Sequence, residues 1–152
     1  MNYWRMQLHP AKPAKAAFYA AQSLSAGFIG LDFHTEVGDL NRAKKGRIPK
    51  NQKDYVAFCG EMEIGDKVLI IVHHFPFAVA TIAGDYNYIL NPEPELGVWF
   101  RHFRRVKNVE YFSDFHKNVK SWEKYTMTDT IAKLKDPDSK SFKLIKDMGN
   151  PI

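Results

Sequence analysis

Between Glu61 and Tyr86 the sequence reads EMEIGDKVLIIVHHFPFAVATIAGDY, and this stretch limits the fold more than any other. Lys67 to Val72 and Phe77 to Ala83 are apolar runs rich in β-branched residues, the signature of strands. The four residues between them, His73-His74-Phe75-Pro76, with Phe77 opening the second run, are too few for anything but a hairpin tip. Gly65-Asp66 stands before the first run and Gly84-Asp85 after the second, where Gly and Asp form turns or bulges. Two histidines and two phenylalanines at a hairpin tip make either an aromatic turn or one wall of a place that holds something flat.

The rest of the chain falls into place around that hairpin. Tyr3 to Leu8 alternates like a short strand and ends before Pro10 and Pro13. Ala14 to Ser25 carries Ala17, Ala20, Ala21 and Leu24 at helical spacing, with Gly27 as its stop. Phe28 to Phe33 reads as a strand in which Gly30 marks a bulge or a close backbone approach. Residues 38–53 form a polar, basic connection. Asp54 to Met62 reads as a short helix with Tyr55, Phe58 and Met62 on one side. Tyr86 to Ile89 continues the second run briefly, and Asn91-Pro-Glu-Pro-Glu is a loop. Val98 to Phe112 is a long strand, bent near Val106. A helix is expected from Thr126 to Lys135, capped by Thr128 or Asp129 and broken by Pro137. SFKLIKDM reads either as another short helix or as a segment leading into something further. The sum is an α+β fold of five or six mostly antiparallel strands, curled into a small β-barrel with flanking helices. Residues 1–112 make the barrel domain; residues 113–152 make a C-terminal helical extension, packed on it or leading to a further domain.

Length and composition exclude several classes. At 152 residues, 45% hydrophobic and 26% charged, the chain suits one domain with one core. No run approaches the roughly 18 apolar residues of a membrane span, and MNYWRMQLHPAK lacks the apolar segment of a signal peptide. The single cysteine, Cys59, allows no internal disulfide and no Cys-rich zinc site, so the expected compartment is the cytoplasm. No Gly-rich phosphate loop, HExxH, CxxC or GxSxG is present. His73 and His74 would face opposite sides of a regular strand, and no carboxylate or cysteine lies near to complete a tetrahedron around a metal. Cys59, at the end of an amphipathic helix, reads as a buried structural thiol. The expectation is a binding domain with no cofactor and no catalysis.

The charge pattern names a partner class. The net charge is +5, and its distribution is uneven. Met1 to Leu31 contains no acid; Arg42 to Lys53 holds Arg42, Lys44, Lys45, Arg47, Lys50 and Lys53 without one; Val98 to Lys107 holds Arg101, Arg104, Arg105 and Lys107. Acids collect in Glu61 to Asp66 and in the last forty residues. Segregation of this kind points to a face that meets a polyanion, against the simpler account of a solvated basic surface. Aromatics make up 14% of the chain and several adjoin expected turns: Phe33, Phe75, Phe77, Tyr86, Tyr88 and Trp99. Aromatic faces stack unpaired bases while Lys and Arg hold phosphates.

In order along the chain, YWRMQL, a helix, GFIGLDF, MEIGDKVLIIV, FAVATIAGDYNY and VWFRHFRRVKNVEYF resemble the PUA-like superfamily, and within it the EVE and YTH branch. Domains of that branch occur at the N-terminus of McrBC-type, modification-dependent restriction proteins. The resemblance covers roughly residues 3 to 112 and rests on the order and spacing of the pieces. It implies a closed β-barrel that binds a flipped, often methylated, base in an aromatic cage. One cage wall would come from the Phe28 to Phe33 region, which holds no tryptophan, and a second from Tyr86 to Trp99. On this reading Asp32, Phe33, His73, His74, Phe75, Tyr86, Tyr88 and Trp99 border the base pocket, with Asp32 accepting from an exocyclic amine. Arg42, Lys44, Lys45, Arg47, Arg101, Arg104 and Arg105 hold phosphates. The expected partners are double-stranded DNA with a modified base and the other domains or subunits of a restriction complex, with no membrane. The alternative is a non-catalytic PUA-like domain that binds a small molecule, RNA or a protein.

Overall fold

The computed structural model describes residues 1–8, 16–31, 38–40, 53–92, 100–125 and 129–149. Strands are numbered in chain order. The apolar run Lys67–Val72 is β3 and sits inside a six-stranded sheet ordered β2-β5-β4-β3-β1-β6. It turns at His73-His74 into β4, Phe75–Tyr88, a strand of 14 residues. The first half of β4 pairs with β3, and its second half with β5, His102–Tyr111. Beyond β5 lies β2, Phe28–Leu31. On the other flank β3 pairs in parallel with β1, Tyr3–Gln7, and β1 pairs antiparallel with β6, Ile131–Leu134.

The fold is α+β with a mixed sheet, and the expected barrel is not closed. Among the described residues β2 and β6 end the strand order and do not pair with each other, so the sheet keeps two edges. The sixth strand is the physical reason for part of this: it occupies the edge of β1 and carries the sheet outward. It also replaces the helix expected over Thr126 to Lys135. Ile131 and Leu134 are spaced for either element, and the unpaired edge of β1 decides the outcome by offering backbone partners. Gln7 ties the junction, its amide donating to the Thr130 carbonyl at 2.8 Å and its side chain to that of Asp129 at 3.2 Å. Residues 113–152 thus contribute a strand to the same sheet as well as helices.

Two cores flank the sheet because β3 is buried on both faces. Val68, Ile70 and Val72 join one cluster, with Trp4, Met6, Ile29, Ala80 and Ile82. That cluster is covered by α1, Ala16–Ala26, through Ala20 and Leu24, and by the helical segment Lys53–Glu61 through Tyr55 and Phe58, with Met62 just after it. This segment starts as α2, Lys53–Val56, and widens to a π-helix over Ala57–Glu61. Leu69 and Ile71 point the other way, to Val79, Phe112 and the residues Leu144, Ile145 and Met148 of α4, Lys140–Gly149. The short α3, Phe112–Phe115, and a 3-10 turn at Val119–Ser121 lead from β5 toward β6. Among the described residues no helix is long and apolar enough to cross a membrane.

Three local features explain how the strands run. Asp66 is buried and does more than turn the chain: it accepts from the Asn2 amide at 2.9 Å, from Trp4 Nε1 at 2.9 Å and from the Glu63 amide at 3.0 Å. It thereby fixes the start of β1 to the start of β3. Gly84-Asp85 lies within β4 and forms a bulge, not a turn, where the register with β5 shifts between Ile82 and Tyr86. A second shift follows Lys107 of β5, where Asn108 takes φ +50°, so that Val106 and then Val109 both reach the first core.

Candidate nucleic-acid interface

Gly30 shows why β2 carries a glycine. A Cβ placed there would lie 2.0 Å from the Phe100 ring, so the ring can rest on the strand only because no side chain stands in the way. On the same side Phe103, opposite Gly30 in the register, meets Phe28 edge to face at 5.4 Å. Arg105, opposite Phe28, holds its guanidinium 5.6 Å from the Phe28 ring centroid. Phe28 and Phe103 are half-buried, whereas Arg105 and Lys107 are exposed.

The other side of β5 faces inward. His102, Arg104 and Val106 alternate with the residues just named and are buried. Tyr86 Oη lies 2.6 Å from His102 Nδ1 and accepts from the Leu40 amide at 3.2 Å. Tyr55 and Tyr88 pack on the same imidazole, with centroids at 4.8 and 5.1 Å. Tyr86 and Tyr88 do share a side, as their spacing requires. Tyr86, however, is 5% exposed and belongs to the core, so it is withdrawn from the base pocket. Tyr88 is half-buried.

Arg104 is likewise withdrawn from the phosphate-binding set. It is 2% exposed, and its guanidinium donates to the carbonyls of Gly84 at 3.0 Å, Phe58 at 3.1 Å and Met62 at 2.6 Å. These contacts tie the π-helical turn to the β4 bulge, and a buried cation needs such partners. Burial lowers the Arg104 pKa, and the nearby charges of Asp85 and Asp66 oppose that shift. Neither His102 nor Arg104 stands out by composition. Strand alternation that places them with Val106 is the signal in the sequence that would have found them.

His73 and His74 do not join this cluster. They are exposed and take φ +52° and +68°, the two left-handed positions of a type I′ hairpin turn. For residues other than glycine this costs about 1–2 kcal/mol each, though histidine tolerates it better than most. The His74 carbonyl accepts from the Tyr125 amide at 2.6 Å, which pins the C-terminal segment to the tip. Phe75, half-buried, opens β4, while Tyr88 ends it. Twelve residues of strand lie between them, about 40 Å along the chain at about 3.3 Å per residue. The two halves of the expected pocket rim therefore stand at opposite ends of one strand, and the tip does not join Tyr88.

Asp32, Phe33, Trp99, Arg42, Lys44, Lys45 and Arg47 lie outside the described residues. In sequence, Asp32 and Phe33 follow Leu31, whose register partner is His102, and Trp99 precedes Phe100. Arg101 is half-buried. Lys53, the last cation of the basic segment, is not unopposed: it pairs with Asp129 at 2.7 Å, bridging α2 and the approach to β6. Cys59 is half-buried, and burial raises its thiol pKa above the ordinary value, the opposite of an activated nucleophile. Among the described residues no three His, Cys, Asp or Glu side chains come together as a metal site would require. Compared with protein-family models and with curated proteins, the chain matches none.

Proposed function

We propose that the chain is a nucleic-acid-binding module that reads a flipped, modified base in duplex DNA as the specificity domain of a restriction system. One observation carries the proposal: the cations are segregated, with Arg42, Lys44, Lys45, Arg47 and Lys50 together in sequence and Arg105 and Lys107 exposed side by side on β5. Polyanion binding follows from that arrangement, because each phosphate neutralised releases counterions. The base-reading part rests on the half-buried Tyr88 beside His102, where the chain continues toward Asp32, Phe33 and Trp99. Unstacking a base costs a few kcal/mol, and aromatic stacking together with phosphate contacts offsets it.

The test is affinity for matched duplexes that differ at one base: unmodified, methylcytosine, hydroxymethylcytosine and methyladenine. The expected result is one duplex bound at least about tenfold more tightly than the unmodified one, a difference of about 1.4 kcal/mol. Equal affinity for all four would remove base reading and leave only polyanion binding.

A further inference from the structure

The outward side of β5 and β2 has a chemistry of its own. Phe103, Arg105 and Lys107 alternate along β5 on the side away from His102 and Arg104, and Phe28 lies opposite Arg105 on the edge strand β2. The α4 helix covers the neighbouring strands β3, β1 and β4 on this side, while Phe103 stays half-buried and Arg105 and Lys107 stay exposed. Asn87, opposite Phe103 on β4, is exposed too; its amide nitrogen donates to the Asp85 carbonyl at 2.9 Å. The acid on this side of β5, Glu110, lies beyond the Asn108 bulge.

From this arrangement we infer that the Phe28–Phe103–Arg105 face is a stacking platform for a single-stranded nucleic-acid segment. A base needs an aromatic or guanidinium plane, and the next phosphate needs a cation one strand step away. Phe103 and the guanidinium over Phe28 supply the planes, and Lys107 supplies the cation. The cation–π contact keeps the exposed Arg105 guanidinium over the ring, 5.6 Å from its centroid, while its N–H groups stay available to phosphate oxygens. A duplex has its bases stacked inside and cannot use such planes. Charge complementarity selects a polyanion, and the planar groups select unpaired bases within that class. The inference rests on the nucleic-acid reading for the polymer class, but it concerns the sheet face opposite the Tyr86–His102 cluster.

The test uses the full chain, a labelled unmodified oligothymidylate of about ten nucleotides, and a blunt unmodified duplex, with binding read by fluorescence anisotropy. The expected result is tighter binding of the single strand than of the duplex. Phe103→Leu should weaken the single strand at least about tenfold and change duplex affinity by less than threefold, and Arg105→Glu should weaken both substrates, the single strand by at least about tenfold and by more than the duplex. Arg105 and Lys107 are exposed, so Arg105→Glu and Lys107→Glu read the surface even where Phe103→Leu lowers the melting temperature. Single-strand affinity untouched by Arg105→Glu and Lys107→Glu, or equal losses on both substrates, would overturn the platform. Duplex binding retained in a protein that ignores the single strand would overturn the platform while leaving the duplex reading standing. Binding of neither substrate would overturn both.

Discussion

Tyr86 and His102 are joined across β4 and β5, phenol oxygen to Nδ1 at 2.6 Å, inside a cage of Tyr55, Phe58 and Tyr88. The pair closes the end of the first core and makes Tyr88 the aromatic residue of this group that reaches the surface. Tyr86→Phe removes the acceptor of the Leu40 amide and the partner of His102. It should cost about 1–3 kcal/mol of stability by urea unfolding. Affinity per folded molecule for nucleic acid should be unchanged. A variant as stable as the parent would contradict the structural role.

Arg104 and Arg105 are neighbours in sequence and opposite in role. Arg104→Met leaves the Gly84, Phe58 and Met62 carbonyls without their charged donor and should cost at least about 3 kcal/mol, since even one hydrogen bond to a charged group contributes about 1.5–3 kcal/mol and three are lost. Arg105→Ala loses only an exposed cation–π contact, about 0.5–1 kcal/mol. Melting curves of the two variants should therefore separate clearly. Similar curves would contradict the assignment.

Gly30→Ala should destabilise, because the added methyl meets the Phe100 ring and both ring and strand must shift. Overpacking of this kind costs about 1–3 kcal/mol. Combining it with Phe100→Leu, which frees space over residue 30, should recover part of the loss. A double mutant whose cost is the plain sum of the two singles would show that the contact is not the cause.

Burial by itself raises the Asp66 pKa, but hydrogen bonds from Asn2, Glu63 and Trp4 outweigh it, so the folded-state value is lowered. A carboxylate with a lowered folded pKa favours folding above its unfolded pKa of about 3.9. That contribution disappears as pH falls from there through the folded value. Asp66→Asn should thus be destabilised at pH 7 and show a smaller loss between pH 5 and pH 2 than the parent, by urea midpoints at each pH. A parallel pH profile in the two proteins would contradict it.

Some of the fold could be read directly in the residues, and the reasons differ by element. Strands Tyr3–Gln7 and Lys67–Val72 and the closing helix Lys140–Gly149 show in their own patterning, because burial there follows a local period. Gly30 was legible as a close approach, although not which ring approaches. Residues 131–134 were not legible, since four residues fit helix or strand and the edge of β1 decides. The open sheet was hidden for the same reason: strand order depends on pairings remote in sequence. In the candidate site, the basic residues of β5 were visible as a group, but alternation splits them into a buried anchor and an exposed cation. The resemblance also implied that the hairpin tip meets the Tyr86–Tyr88 region, whereas β4, bulge included, carries the tip at one end and Tyr88 at the other.

Binding of nucleic acid by this basic chain through phosphates must depend on salt. Duplex affinity should be measured from about 50 to 200 mM salt for the parent and for the Lys44, Lys45 and Arg47→Ala triple variant. The account predicts a steep linear fall of log affinity with log salt in the parent. In the variant it predicts weaker binding to every duplex alike and a slope smaller by roughly 0.9 per lost phosphate contact. Affinity that ignores salt, or a variant that loses binding to only one base type, would contradict it.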